Sequence, residues 1–216
     1  MTTLRDEFRT YVQANSSPCV MAKAAVRSDR ITINNYGTMA GEAASRALYK
    51  DLERYVVCAR PSALHFESFI GAFEETPVES EKAFESRLWR QLQKLHRLDR
   101  HGWDPAVDSD PESPEFSFSI AGAAFYIVGI HPRSSRPGRR FKYPAIVFNY
   151  HRQFEELRAT GKFERVKQRI RVNDRLENGS VNEMLDDFGV SSEACQYSGR
   201  SVDETWECPI DLAESR

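Results

Sequence analysis

Apolar positions along this chain recur at two periods, and the switches between them lay out its elements. Thr3 to Ala14 predicts a short helix, after which Cys19–Val26 and Ile31–Asn35 look like two strands joined by the polar turn Arg27–Arg30. Ala44, Leu48, Leu52 and Tyr55 fall at i, i+4, i+8 and i+11, one face of a helix from about Gly41 to Val57. Phe66–Glu74 is extended, and Thr76-Pro77 breaks it. Phe84, Leu88, Leu92 and Leu95 then stripe a long helix from about Glu79 to Leu98, which Trp89 widens.

Asp-Pro and Ser-Pro pairs between Asp104 and Pro114 leave only loop. The alternation Phe116–Ile120, followed by the apolar run Ala124–Ile130, predicts a β-hairpin in the core. Another strand, Ala145–Phe148, feeds a helix that Asn149 is placed to cap. Phe163, Val166 and Ile170 mark a further helix, and Ser180 and Glu183 form a capping box closed by Gly189. Helices mixed with hairpin-linked strands predict an α+β fold: one domain over residues 1–216, core about 17–210, its mixed or antiparallel sheet covered by helices.

Composition narrows the functional classes. The chain has 216 residues, 40% hydrophobic, with 30 basic and 32 acidic side chains. A net charge of −2 argues against a generally basic nucleic-acid coat. No apolar run approaches the roughly 20 residues of a membrane-spanning helix, so no membrane partner is expected. The start carries no secretion signal, and Cys19, Cys58, Cys195 and Cys208 are scattered without a paired motif. A reduced, cytoplasmic protein is therefore expected. Charge is uneven, however. His131–Arg175 holds 13 Lys or Arg against 4 acids, whereas the chain from Leu176 onward holds 10 acids against 2 arginines. These stretches either pair with each other or leave a basic face for an anionic ligand.

No phosphate loop, nucleophile elbow, zinc-protease motif or Cys-x-x-Cys pair is present. His65 and His101 lack chemical neighbours, and His96 borders an apolar helix face, so all three suit structural roles. His131 ends an apolar strand and opens a loop carrying Arg133, Ser134, Ser135, Arg136, Arg139 and Arg140. Arginine forks grip carboxylates, so this loop suits a ligand with a metal at one end and carboxylates at the other, as in a protoporphyrin. A solvated basic loop is the plainer alternative. His151 sits at a helix start, where the helix N-terminus favours a neutral ring able to coordinate, and Glu155 is its i+4 neighbour. Cys19 is either a buried thiol or an outside candidate for a thiolate ligand.

Several segments together resemble the YqcI/YcgG family. They are Ser17-Pro-Cys-Val-Met-Ala-Lys-Ala24, Ser109-Asp-Pro111 with Phe116-Ser-Phe-Ser119, and Val128-Gly-Ile-His-Pro-Arg-Ser-Ser-Arg136 with Arg139-Arg-Phe141. Val147-Phe-Asn-Tyr-His-Arg-Gln-Phe154, Asn178-Gly-Ser-Val-Asn182 and Gln196-Tyr-Ser-Gly-Arg200 with Trp206-Glu-Cys-Pro209 complete the set. The resemblance implies haem b and a monooxygenase that N-hydroxylates a guanidino or amino group of a small amino-acid-like substrate. It carries over His131, His151 and Cys19 without choosing the iron ligand. His151 is preferred here, with His131 as its rival and the arginine loop on the propionates. Electrons are expected from an external donor. For the substrate, Asp108, Asp110 and Glu155 are candidate partners of a cation, and Arg200 of a carboxylate. Two other readings stand beside this one: a haem-binding sensor or carrier without turnover, and a non-haem interaction module that docks through the basic helix Arg165–Arg175.

Overall fold

The computed structural model describes residues 2–14, 19–58, 66–179 and 188–212. Helices α1 (Leu4–Gln13) and α2 (Val20–Arg27) precede strand β1 (Ile31–Asn35), helix α3 (Glu42–Cys58) and strand β2 (Ser68–Ala72). Helix α4 (Glu81–Leu98) leads into the hairpin β3 (Phe118–Ile120) and β4 (Ala123–Ile130). Strand β5 (Ala145–Tyr150), α5 (His151–Ala159) and α6 (Phe163–Asn178) follow. The sheet order is β1-β2-β5-β4-β3. Only β1 and β2 run parallel, linked by the α3 crossover; every other pair is antiparallel. The fold is α+β, as the alternating periods predict.

Two expectations need correction. Cys19–Val26 is not a strand: Val20–Arg27 is helical, and the Cys19 sulfur accepts the Ala22 N–H at its N-terminus. Ala22, Ala25 and Val26 lie on one helix face, while Met, Ala and Lys around them are good helix formers. A short apolar run does not distinguish helix from strand by period. Asn149, in turn, caps nothing. It stays in β5, its side-chain oxygen takes the Ser68 hydroxyl at 2.6 Å, and Tyr150 opens α5 without a side-chain cap. His65 and the Ser180–Glu183 capping box lie outside the described residues.

The sheet separates two apolar cores because successive strand side chains point to opposite faces. Phe69, Phe125, Ile127, Ile146 and Phe148 face α3 and α4, where Leu48, Leu52, Phe84, Leu88 and Leu92 are fully buried. Ile70, Ile130 and Ala145 face the other way, toward Phe8 and Val12 of α1 and Ala25 and Val26 of α2. No helix among the described residues is long and apolar enough to cross a membrane.

Candidate functional site

The second face of the sheet does not close completely. Between it and α1, α2, α5 and α6 lies a cavity of about 260 Å³. Its floor is the outward parity of three strands: Tyr126, Val128 and Ile130 of β4, Val147 and Asn149 of β5, and Ser68 of β2. Phe8, Val12, Ala22 and Ala25 close one side. α6 covers another with Phe163, Val166 and Ile170 and adds the basic pair Lys167 and Arg171. The lining is mainly apolar, with a few polar groups that converge on it, the usual build of a small-molecule site.

Strand parity also puts the two histidines on opposite sides of the sheet. On β4, residues 126, 128 and 130 face the cavity, so His131, next in line, turns to the α4 side. There its ring stacks on Phe84 at 4.2 Å, and both ring nitrogens are buried without a hydrogen-bond partner among the described residues. Burial lowers its pKa to about 4. On β5, residues 147 and 149 face the cavity, and His151 continues that parity onto its wall. The His151 ring is 4% exposed and lies 4.5 Å from Phe188. Burial, ahead of the opposing charge of Glu155, lowers its pKa and keeps it neutral at pH 7. Its Nε2 is 3.3 Å from Glu155, a carboxylate that orients the ring. Cys19 lines the same cavity; burial raises its thiol pKa, while the Ala22 and Met21 N–H groups act in the opposite direction.

The arginine loop divides between cavity and scaffold. Arg136 reaches the wall and is bound bidentately by Asp174 of α6, both contacts at 2.7 Å. Arg139 also reaches it, although its guanidinium donates to the carbonyls of Gly129, Gln196 and Tyr197. Gly199, at φ +80°, allows that approach: a Cβ there would stand 2.6 Å from Arg139 Cδ. The Arg-Arg-Phe and Gln-Tyr-Ser-Gly-Arg segments are thus one tether. The remaining loop residues are not on the wall. Arg133 is exposed, Ser135 donates twice to Glu81 at 2.8 Å, and the Ser134 and Ser135 carbonyls take the Arg140 guanidinium.

The candidate substrate partners are dispersed. Asp108 and Asp110 are exposed and fold their loop by accepting backbone N–H groups at 3.0 Å. Arg200 pairs with Glu85 of α4 at 2.7 Å, away from the cavity. Glu155 is held by Arg158 and His151. Polar residues on the wall that sequence reading passed over include Tyr126 and Glu193, whereas Gln196 opens the Gln-Tyr-Ser-Gly-Arg segment. Glu193 joins the wall from the distant C-terminal part of the chain, and no motif marks it.

The group that the resemblance implies is compatible with this wall. It offers an imidazole, a helix-capping thiol, apolar sides and the basic side chains Lys167 and Arg171, donor types that an amphiphilic dicarboxylate carrying a metal would use. Among the described residues no three His, Cys, Asp or Glu side chains converge to hold a bare metal ion.

Residues 8–211 match the model of the YqcI/YcgG family. The chain is 25% identical over 170 residues to YcgG of Bacillus subtilis strain 168, and 24% identical over 169 residues to YqcI of the same strain. Both are described as uncharacterized. Each match covers 76% of this chain, but only 66% and 65% of the relatives, just under two thirds of their length. No solved structure matches the chain. With the match running through almost every element of the fold, this chain belongs to the YqcI/YcgG family.

Proposed function

We propose that this protein is a haem-dependent monooxygenase that N-hydroxylates a guanidino or amino group of a small amino-acid-like substrate, with haem b seated in the cavity beneath α6. The observation that carries this reading is the placement of a neutral, carboxylate-oriented His151 on an apolar wall that also bears Lys167 and Arg171. His151 would hold the iron, and Glu155 would fix its ring. Lys167 and Arg171 would meet the propionates, and Phe163, Val166 and Ile170 would exclude water. When bound, the haem supplies oxygen activation; the protein supplies axial ligand, polarity and substrate position. Two electrons come from an external donor. The free cysteines among the described residues suit a reducing cytoplasmic setting.

The test is an absorption spectrum of protein expressed with ample haem precursor, before and after dithionite and CO. A Soret band with a histidine-type ferrous-CO form is expected, lost in His151→Ala and kept in His131→Ala. A strongly red-shifted CO band that disappears in Cys19→Ser transfers the iron to the thiolate. Colourless protein that also refuses hemin overturns the reading. One observation favours the interaction-module alternative: Arg165 and Arg169 are exposed on α6, with Val172 and Leu176 bare beside them. That alternative predicts a pigment-free protein whose binding to an acidic partner falls steeply with salt.

A further inference from the structure

Glu193 opens the short 3-10 turn Glu193–Gln196 and stands on the cavity wall at 5% exposure. Its Oε1 accepts two hydroxyl donors, Tyr197 at 2.6 Å and Ser117 at 2.8 Å. Both donors are buried and neutral, and Tyr197 in turn takes the Phe118 N–H at 3.0 Å. Among the described residues, no hydrogen bond reaches Oε2. The charged and titratable groups facing the carboxyl are Arg158 of α5, which is held by Glu155, and the Tyr197 and Tyr126 hydroxyls. Among the described residues, no cation forms an ion pair with it. Burial raises its pKa to about 8, so at neutral pH it stands mostly as the uncharged acid.

A buried carboxyl without a counter-ion is costly, and an amide would satisfy Ser117 and Tyr197 equally well. What the amide lacks is the capacity to become an anion. We propose that Glu193 is the cavity's counter-ion for the positively charged end of an ammonium or guanidinium ligand, and that the ligand displaces the carboxyl proton as it binds. The step balances simply: the neutral acid and the cation become an ion pair, and one proton passes from the carboxyl to solvent. Ser117 and Tyr197 stabilise the anion through Oε1, leaving Oε2 for the ligand N–H. The rings of Tyr126, Phe154 and Phe188 on the same wall favour a cation over a neutral acceptor. This inference deepens the proposed function by assigning its substrate-cation contact to Glu193 rather than to Asp108, Asp110 or Glu155.

The experiment is calorimetric titration of the full chain with butylguanidinium and with butylammonium, in buffers of different ionisation enthalpy, with haem content measured on the same sample. At pH 7 wild type is expected to release close to one proton per ligand. Affinity should rise roughly tenfold per pH unit up to about pH 8 and then level off. Glu193→Gln should release no proton and bind at least tenfold more weakly, without pH dependence. Infrared difference spectra provide a second reading on wild type alone: the band of a protonated carboxyl should vanish on cation binding. No saturable binding, binding without proton release, or undiminished affinity in the variant overturns the proposal. A haem-free sample that binds the cation with proton release keeps this inference and counts against the haem reading alone.

Discussion

Two histidines that look alike in the sequence have opposite surroundings. His131 spends its burial on a stack with Phe84 and leaves both nitrogens unbonded, whereas His151 meets a carboxylate at the edge of a cavity. The His131 contribution to stability follows from its depressed pKa of about 4, against an ordinary value of 6.5. The unfolded state takes up the proton first, so stability is lost as pH falls from 6.5 toward 4 and is intact above that window. His131→Leu removes two unsatisfied polar atoms and the titration together. It is expected to unfold at least about 1 kcal/mol less readily than wild type near pH 4.5, with little change at pH 8. Urea unfolding at the two pH values checks this; equal acid sensitivity in both proteins would sink it.

At the scale of elements, close approach is what fixes the cavity. β4 lies so near α4 that a Cβ on Gly129 would stand 2.7 Å from both a Phe84 ring carbon and the Tyr197 carbonyl oxygen, and 2.8 Å from Leu88. Gly129→Ala is therefore expected to cost about 1–3 kcal/mol by overpacking, read as a lower urea midpoint. α6 is held differently, by the buried Asp174 on Arg136. Several of the segment's basic side chains pair outside the acidic tail: Lys142 with Glu7, Arg152 with Glu156, and Arg158 with Glu155. Asp174→Asn removes the buried carboxylate that grips the Arg136 guanidinium bidentately. The expected loss is about 3 kcal/mol, with faster amide exchange along α6 and little change in α4. Unchanged α6 protection would show that the helix is held by its apolar face.

For the whole molecule, the sheet acts as a partition. One face is a closed core of aromatic and aliphatic side chains against α3 and α4; the other is a thinner layer with a cavity in it. A ligand that fills the cavity binds only the folded chain, so it stabilises both layers at once. Hemin at a hundredfold excess over its Kd is expected to add about 2.7 kcal/mol, seen as a single upward shift of Tm. The shift should shrink strongly in His151→Ala and persist in His131→Ala. Equal shifts in both variants would mean that neither histidine holds the iron.

Much of this fold is legible in local pattern. The stripe of α4, the hairpin of β3 and β4, and the α+β class all follow from periods of 3.6 and 2, because burial on one face selects the side chains there. The stripe of α3 is local in the same way. Cys19–Val26 was not legible, since eight residues of Met, Ala and Val suit either state until α1 and the sheet press on one face. Nor was the site. Parity placed His131 and His151 on opposite faces only after β4 and β5 were registered as antiparallel neighbours, Phe125 opposite Tyr150. Glu193 carries no motif at all; its chemistry comes from Ser117, 76 residues away in sequence, and from a burial that no local pattern records. Sequence by itself determined the elements and the family, because those depend on near neighbours. Only the tertiary structure decided which polar groups share a cavity, because desolvation and charge pairing are set by residues far apart along the chain.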